Sequence, residues 1–346
     1  MAAAVLACIN EEEQRPVRRP RIFRDRSNPL DLYNDDEMFK KYRFRRDGIL
    51  AIIGRVEDAI RPNSNRNKAI PPALQVFIAL RFFATGSVLD SSGTIHGVSR
   101  STTCRVIHRV AGALCNIKHE IIKFPCSDDE VTDQQTNFYK IANFPKVVGA
   151  VDGTHVYLHG APLGPDEHVY INRKGRYSIN VQLICDYRFK ITNCVARWPG
   201  STHDSRILQN SIVGHEFIRG NLHGILLGDS GYALQPWIMT PFLNPTNRAE
   251  RAFNRAHSST RVLIEQVNGQ WKNKFRCLIG HGLQMSPLNA KDVIMACAVL
   301  HNLSKDLNQP EVPFQLVDND EDEIPDLPDG VNGPATRAQI VASFFQ

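Results

Sequence analysis

The apolar positions of the chain change period near residue 146. Before it, from Asn34 to about Ala142, they recur at helical spacing. Asn34 or Asp35 is placed to cap a helix carrying Met38, Phe39 and Tyr42, and Ile49 to Ile60 carries a second apolar stripe. Pro71 and Pro72 open "PPALQVFIALRFFATG", which Gly86 ends. In "SSGTIHGVSRSTTCRVIHRVAGALC" a short helix, a turn at Gly97, a Ser99 cap and a longer helix predict a helix-turn-helix over about residues 91–115. Arg100, Ser101, Thr102 and Thr103 form the exposed first turn of its second helix. They face DNA in one reading and are merely structural in the other.

From Lys146 the pattern is that of strands: 147–151, 177–185, 190–197, 224–228 and a fifth near Trp237–Thr240. Helices are expected from about Asp204 to Leu208 or beyond, from Ser258 or Ser259 through "TRVLIEQVNGQWKNKF", and from Pro287 to about Leu303. Three strands, a helix, a strand and a helix is the order of an RNase H-like fold. The expected class is therefore α/β: an RNase H-like mixed sheet flanked by helices, preceded by a helical domain with the helix-turn-helix. The expected division is a basic disordered arm (1–33), a helical domain (34–145), the sheet-bearing core (146–306) and an acidic linker with a C-terminal tail (307–346).

Two of these strands end in the same way. "VVGAVDGTHVYL" and "GILLGDSGY" each run from apolar residues into a carboxylate, Asp152 and Asp229, followed by small residues. A lone Asp-Gly is an ordinary turn. In the RNase H-like layout, however, the first and fourth strands lie side by side, about 4.8 Å apart. Two carboxylates about 4 Å apart repel by about 4 kcal/mol at an effective dielectric near 20. A divalent cation removes that conflict. Glu265 is the candidate third ligand. It sits among Val262, Leu263, Ile264 and Val267, with Arg261, Asn268 and Lys272 on its own helical face. The competing reading is an Arg261–Glu265 surface pair. Asp204 opens a helix at the same sheet edge, either as a simple N-cap or as an outer or fourth metal ligand.

Composition narrows the classes. The chain has 346 residues, 42% hydrophobic content and a formal net charge of +5. No apolar run approaches the ~18 residues of a membrane helix. "MAAAVLACIN" is followed by Glu11–Glu13 with no basic region before it, so it is not read as a signal peptide. The 8 cysteines include no C-x-x-C pair and read as reduced thiols of the cytosol or nucleus. Cys277–His281 and Cys297–His301 have a zinc-like look, but the apolar spacing around Cys297 and His301 assigns them to a buried helix. "GDSG" at 228–231 matches the nucleophile motif of trypsin-like proteases, yet here it follows a buried strand in a mixed α/β chain. "RPVRRPRIFRDR" near the start suits a nuclear-import signal, a phosphate-binding tail or a plain solvated arm.

The blocks "VVGAVDGTHV", "YINRKGRYSINVQLICD", "RWPGSTHDSRIL", "LLGDSGY", "NRAHSSTRVLIEQVNGQWKNKFRCL" and "CAVLHN" resemble the PIF/Harbinger transposases and the harbinger-derived nucleases of vertebrates. The resemblance implies a DDE nuclease on an RNase H-like core, with Asp152, Asp229 and Glu265 as the triad and Asp204 at an acidic position counted with the metal ligands. It implies two-metal cutting of DNA at transposon ends and strand transfer, with Mg²⁺ or Mn²⁺ as cofactor. A Myb-like DNA-binding partner, a homo-oligomer on DNA and a location in the nucleus, or in nucleus and cytoplasm, are implied in the same way, import depending on the partner. Arg173, Lys174 and Arg176 in "YINRKGRYS", with Asn172 beside them, are candidates for holding phosphates near the site, as are Lys272 and Lys274; the alternative is a plain solvated loop. The rival is a domesticated DNA- or partner-binding protein that no longer cuts.

Overall fold

The computed structural model describes residues 28–64, 69–86, 97–159, 163–280, 282–313 and 327–346. Most of the basic arm lies outside them. So does the first helix of the expected helix-turn-helix, leaving that motif as an expectation.

Seven helices precede the sheet among the described residues: α1 Pro29–Leu32, α2 Asp35–Tyr42, α3 Arg46–Ile60, α4 Pro72–Thr85, α5 Arg100–Asn116, α6 Lys118–Ile121 and α7 Asp128–Ala142. Their starts follow local chemistry. Asn34 and Glu37 close a capping box on α2, and Ser127 and Glu130 close another on α7. Gly86 ends α4 in the left-handed region, at φ 62°. Ser99 caps α5 by accepting from the Thr102 amide. The first turn of α5 is less open than its sequence suggests. Thr103 is fully buried and its hydroxyl bonds back to the Ser99 carbonyl, so only Arg100, Ser101 and the half-buried Thr102 face outward.

The sheet has five strands in the order β3-β2-β1-β4-β5: β1 Val147–Tyr157, β2 Ser178–Cys185, β3 Ile191–Pro199, β4 Ile225–Leu227 and β5 Ile238–Met239. β1 is antiparallel to β2 and parallel to β4. First and fourth strands are thus neighbours. Between β3 and β4 lie α8 Asp204–Gln209 and α9 Ile212–Ile218; after β5 come α10 Arg248–Lys274, α11 Pro287–Asp306 and α12 Gly333–Phe344.

Successive strand residues point to opposite faces. Ala150 and Val156 of β1 join one large core with Leu263, Ile264 and Val267 of α10, with α11 and with the N-terminal helices. Val148 and Val151 join a smaller core with Leu208 of α8 and Val213 and Phe217 of α9. The sheet is therefore covered on both faces, and the N-terminal helices share its principal core. The C-terminal helix also docks: Phe345 packs its ring against Phe144 and Phe253. α10 begins at Arg248, some ten residues before the expected Ser258. Asn247 caps it by accepting from the Glu250 amide. Among the described residues no helix is long and apolar enough to cross a membrane.

Candidate active site

Asp152 is not at a strand end. β1 continues five residues past it, and Asp152 pairs with Leu183 of β2. The expectation of a strand tip holds only on the other side. Pairing with β4 ends at Ala150–Leu227, and Asp152 and Asp229 each stand two residues beyond that pair. Equal offsets from the last parallel pair put the two residues at the same level, and Asp229 is close enough to act on the Asp152 carboxyl and on Arg261 of α10.

α10 lays one stripe of residues along β1. Arg261 donates from Nη1 to Asp152 Oδ1 at 3.3 Å and from Nη2 to Glu265 Oε1 at 2.5 Å. Asn268 donates from Nδ2 to Asp152 Oδ2 at 2.8 Å. Lys272 reaches Thr154 Oγ1 at 2.5 Å and the His155 carbonyl at 3.0 Å. The Arg261 side chain is only 18% exposed. The simple surface pair therefore gives way to a guanidinium that bridges a strand carboxylate and a helix carboxylate. This central place of Arg261, and the Asn268 contact, were not read from sequence. The signal was present in their spacing, since residues 261, 265, 268 and 272 share one face.

Asp204 comes from the opposite side. A Cβ on Gly153 would lie 2.0 Å from Asp204 Oδ2, so only a glycine leaves room for that carboxylate against the strand. Asn180 holds it by donating Nδ2 to Oδ1 at 2.7 Å. Gly153 alternates with Asp152, so Asp204 reaches β1 from the α8 face.

The charges interact strongly. Burial pushes the Asp152 carboxyl well above the ordinary range and Asp229 pushes it further; Asp204 and Glu265 act in the same direction, while Arg261 opposes them. For Arg261 burial works against the charge, but Asp152, Asp229 and Glu265 outweigh it and raise its pKa. Tyr232 is fully buried, accepts from Gln182 Nε2 at 3.0 Å, and is raised by burial, then by Asp204, Asp229 and Asp152.

Other expectations are corrected. Lys272 and Lys274 are not surface cations. Lys272 is clamped to β1 as above, and Lys274 is 1% exposed, with Nζ 3.4 Å from the Pro310 carbonyl and 5.2 Å from the centre of the Phe44 ring. The helix turns both toward the core, so neither meets a phosphate in this arrangement. Arg173, Lys174 and Arg176 do stand exposed, on a turn where Asn172 Oδ1 accepts from the amides of Lys174 and Arg176. Arg176 lies over the Tyr157 ring at 3.6 Å. Tyr157 is roughly 16 Å along the strand from Asp152, so the basic turn lies beyond the carboxylates rather than against them. Cys277 and Cys297 are buried with sulfurs 3.9 Å apart, and His301 bonds the Phe189 carbonyl, as core residues do; His281 falls outside the described residues. Ser230 of "GDSG" has a buried hydroxyl with no hydrogen-bond partner and hence no base.

The family of such carboxylate sites implies a divalent metal. The donors at hand are hard carboxylate oxygens, which Mg²⁺ prefers. Asn268 Oδ1 adds a buried oxygen with no hydrogen-bond partner beside Asp152. Among the described residues no three His, Cys, Asp or Glu side chains already converge on one point. The donor chemistry fits a metal, with the Arg261 guanidinium standing between two of the donors.

A family model described as DDE superfamily endonuclease matches residues 151–302, which contain all four carboxylates. The chain is 35% identical over 278 residues to "Putative nuclease HARBI1" of Homo sapiens, covering 80% of this chain and 79% of that protein. The Xenopus laevis protein of the same name is 31% identical, covering 80% of each. "Protein ALP1-like" of Arabidopsis thaliana is 25% identical over 83% of this chain and 74% of its own. No solved structure matches. With its mixed sheet flanked by helices, this chain belongs to the harbinger-type DDE superfamily endonucleases, the family of transposase-derived nucleases.

Proposed function

We propose that this protein is a metal-dependent DNA endonuclease that cuts phosphodiester bonds at transposon ends and joins the 3′-hydroxyl ends to target DNA. The equal register of Asp152 and Asp229 beyond the last β1–β4 pair, with Glu265 joined to Asp152 through one guanidinium, is the observation that carries this reading. Asp152, Asp229 and Glu265 are the residues that hold the metal. When bound, two divalent ions supply Lewis acidity at the attacking and leaving oxygens.

The chain's own residues do the positioning. Asn268 orients the Asp152 carboxylate, and the clamp of Lys272 on Thr154 and His155 fixes α10 against β1. Asp204 adds negative charge from behind the strand and is an outer ligand at most. Arg100, Ser101 and Thr102 on α5, and Arg173, Lys174 and Arg176 on the basic turn, contact DNA phosphates away from the scissile bond. A Myb-like partner, a homo-oligomer on DNA and a nuclear location complete the reading and rest on the family resemblance.

A second reading is a descendant that binds DNA without cutting. It is favoured by Arg261, whose charge already offsets the carboxylates without metal. A metal-dependent nicking assay on end-bearing DNA, with binding measured separately, decides between them. Parent protein that nicks, with Glu265→Gln and Asp152→Asn that bind but do not cut, supports the enzyme. Binding without nicking by the parent supports the silent descendant. Near-parent cutting by Glu265→Gln removes Glu265 from the metal set.

A further inference from the structure

We infer that Arg261 is a displaceable resident cation: its guanidinium and a divalent metal ion compete for Asp152 and Glu265, so that Arg261 sets the metal affinity of the site. The inference rests on the metal-site reading above.

Both oxygens of Asp152 already have donors, Arg261 on Oδ1 and Asn268 on Oδ2. A metal ion that uses Asp152 must share or displace one of them. Asn268 is 2% exposed and has a short side chain, so it has nowhere to go. Arg261 is long, and part of its side chain reaches solvent. Its 3.3 Å contact to Asp152 is also the longer of the two. A guanidinium does not lose its proton in a protein. It can therefore vacate the site only by rotating out, which its partial exposure permits.

The bridge depends on the fork. Two nitrogens of one planar group reach two carboxylates on different elements, which a single ammonium does not reproduce. While the bridge stands, Asp152 and Glu265 are held on two sides of a cation rather than around an empty point. This accounts for carboxylates that repel one another yet are not gathered into a ready metal cage. Releasing the bridge leaves three buried or half-buried carboxylates without their counter-charge. A divalent ion then takes its place.

The test is Mn²⁺ titration of the full chain without DNA, by calorimetry and by the metal-induced shift in melting temperature. It compares the parent with Arg261→Met, Arg261→Lys and Asp152→Asn. Arg261→Met is expected to bind Mn²⁺ about tenfold tighter or more, the attraction being partly screened by solvent, and to melt lower than the parent without metal. Arg261→Lys keeps the positive charge but not the fork, and is also expected to bind more tightly than the parent. If Arg261→Lys binds as the parent does, the effect is one of net charge and displacement is wrong; that variant decides the matter even if Arg261→Met does not fold. Asp152→Asn is expected to lose Mn²⁺ binding. If it binds like the parent, the metal-site reading itself fails, whatever the Arg261 variants do.

Discussion

Asn268 donates its side-chain amide to Asp152 at 2.8 Å from the helix face that also carries Glu265. Both residues are buried, so the bond is shielded from water. Removing one partner of a buried bond leaves the other desolvated and unmet. Asn268→Ala is therefore expected to destabilise the protein by about 1–3 kcal/mol, read as a lower urea midpoint with an unchanged slope. A midpoint equal to the parent's would mean that the Asn268–Asp152 bond adds nothing to stability beyond what Arg261 of the same helix supplies.

Gly153 and Asp204 form a coupled pair. The clash that a Cβ at 153 would make is with the Asp204 carboxylate itself. Gly153→Ala is expected to cost about 1–3 kcal/mol, the usual range for overpacking. In an Asp204→Ala background the same change should cost little, because the clashing group is gone. A double-mutant cycle on denaturation midpoints measures the coupling. Additive effects would show that the strand, not Asp204, resists the methyl group.

The parts legible in the sequence were those governed by period. The alternation of "VVGAVDGTHVYL" and "GILLGDSGY" located β1 and β4, and strand adjacency then brought Asp152 and Asp229 together. The i, i+4 spacing of Arg261 and Glu265 gives the pair that the structure contains, but says nothing of what packs over it. Here Asp152 of β1 lies over it. Lys272 and Lys274 were misread for a related reason. α10 contacts the sheet and the N-terminal helices on different sides, so Lys272 and Lys274 face inward and find a carbonyl or a ring. Thr103 misled as a polar residue in a capped first turn, whereas its hydroxyl is satisfied by the Ser99 carbonyl and its body is buried. The early start of α10 was hidden because Arg248–Arg255 carries one large apolar residue, the buried Phe253, among arginines that stand exposed.

Two buried histidines make the fold acid-sensitive. His257 donates its ring Nε2–H to the Met239 carbonyl and His301 donates its own to that of Phe189. Burial lowers their pKa values to about 4 and about 3 respectively. Below the unfolded value of about 6.5 the unfolded chain takes up protons that the folded chain refuses. Their contribution is thus complete above that value and is lost as pH falls toward the folded values, by about 1.4 kcal/mol per pH unit for each. Asp152, whose pKa is raised, has the opposite slope, so the comparison must be with a variant. His301→Gln is expected to show a shallower fall in stability than the parent between pH 6 and 4. Parallel curves would mean that His301 is not buried in its neutral form.

Lys274 is expected to oppose folding at neutral pH. Its side chain is 1% exposed, and its ammonium has one long contact, 3.4 Å to the Pro310 carbonyl, and the Phe44 ring 5.2 Å away. Burial lowers its pKa to about 8; Glu311 works against that shift, while Lys305 and Arg43 add to it. The unfolded chain holds this proton up to about 10.5. Above that value both states are neutral and the group costs nothing. As pH falls from there the unfolded chain is protonated first and stability declines; below about 8 the folded chain is protonated as well and the loss is complete. Methionine has a similar length and no charge to bury. Lys274→Met should therefore be more stable than the parent by about 1–3 kcal/mol near pH 7, since replacing a buried charge with an apolar group often stabilises. The gain should shrink from pH 8 upward and vanish near pH 10.5. Guanidinium denaturation of both proteins at pH 7 and pH 10.5 gives the comparison, and buried tyrosines cancel because they are common to both. A Lys274→Met variant less stable than the parent at pH 7 would show that the contacts to Pro310 and Phe44 outweigh the cost of burying the charge.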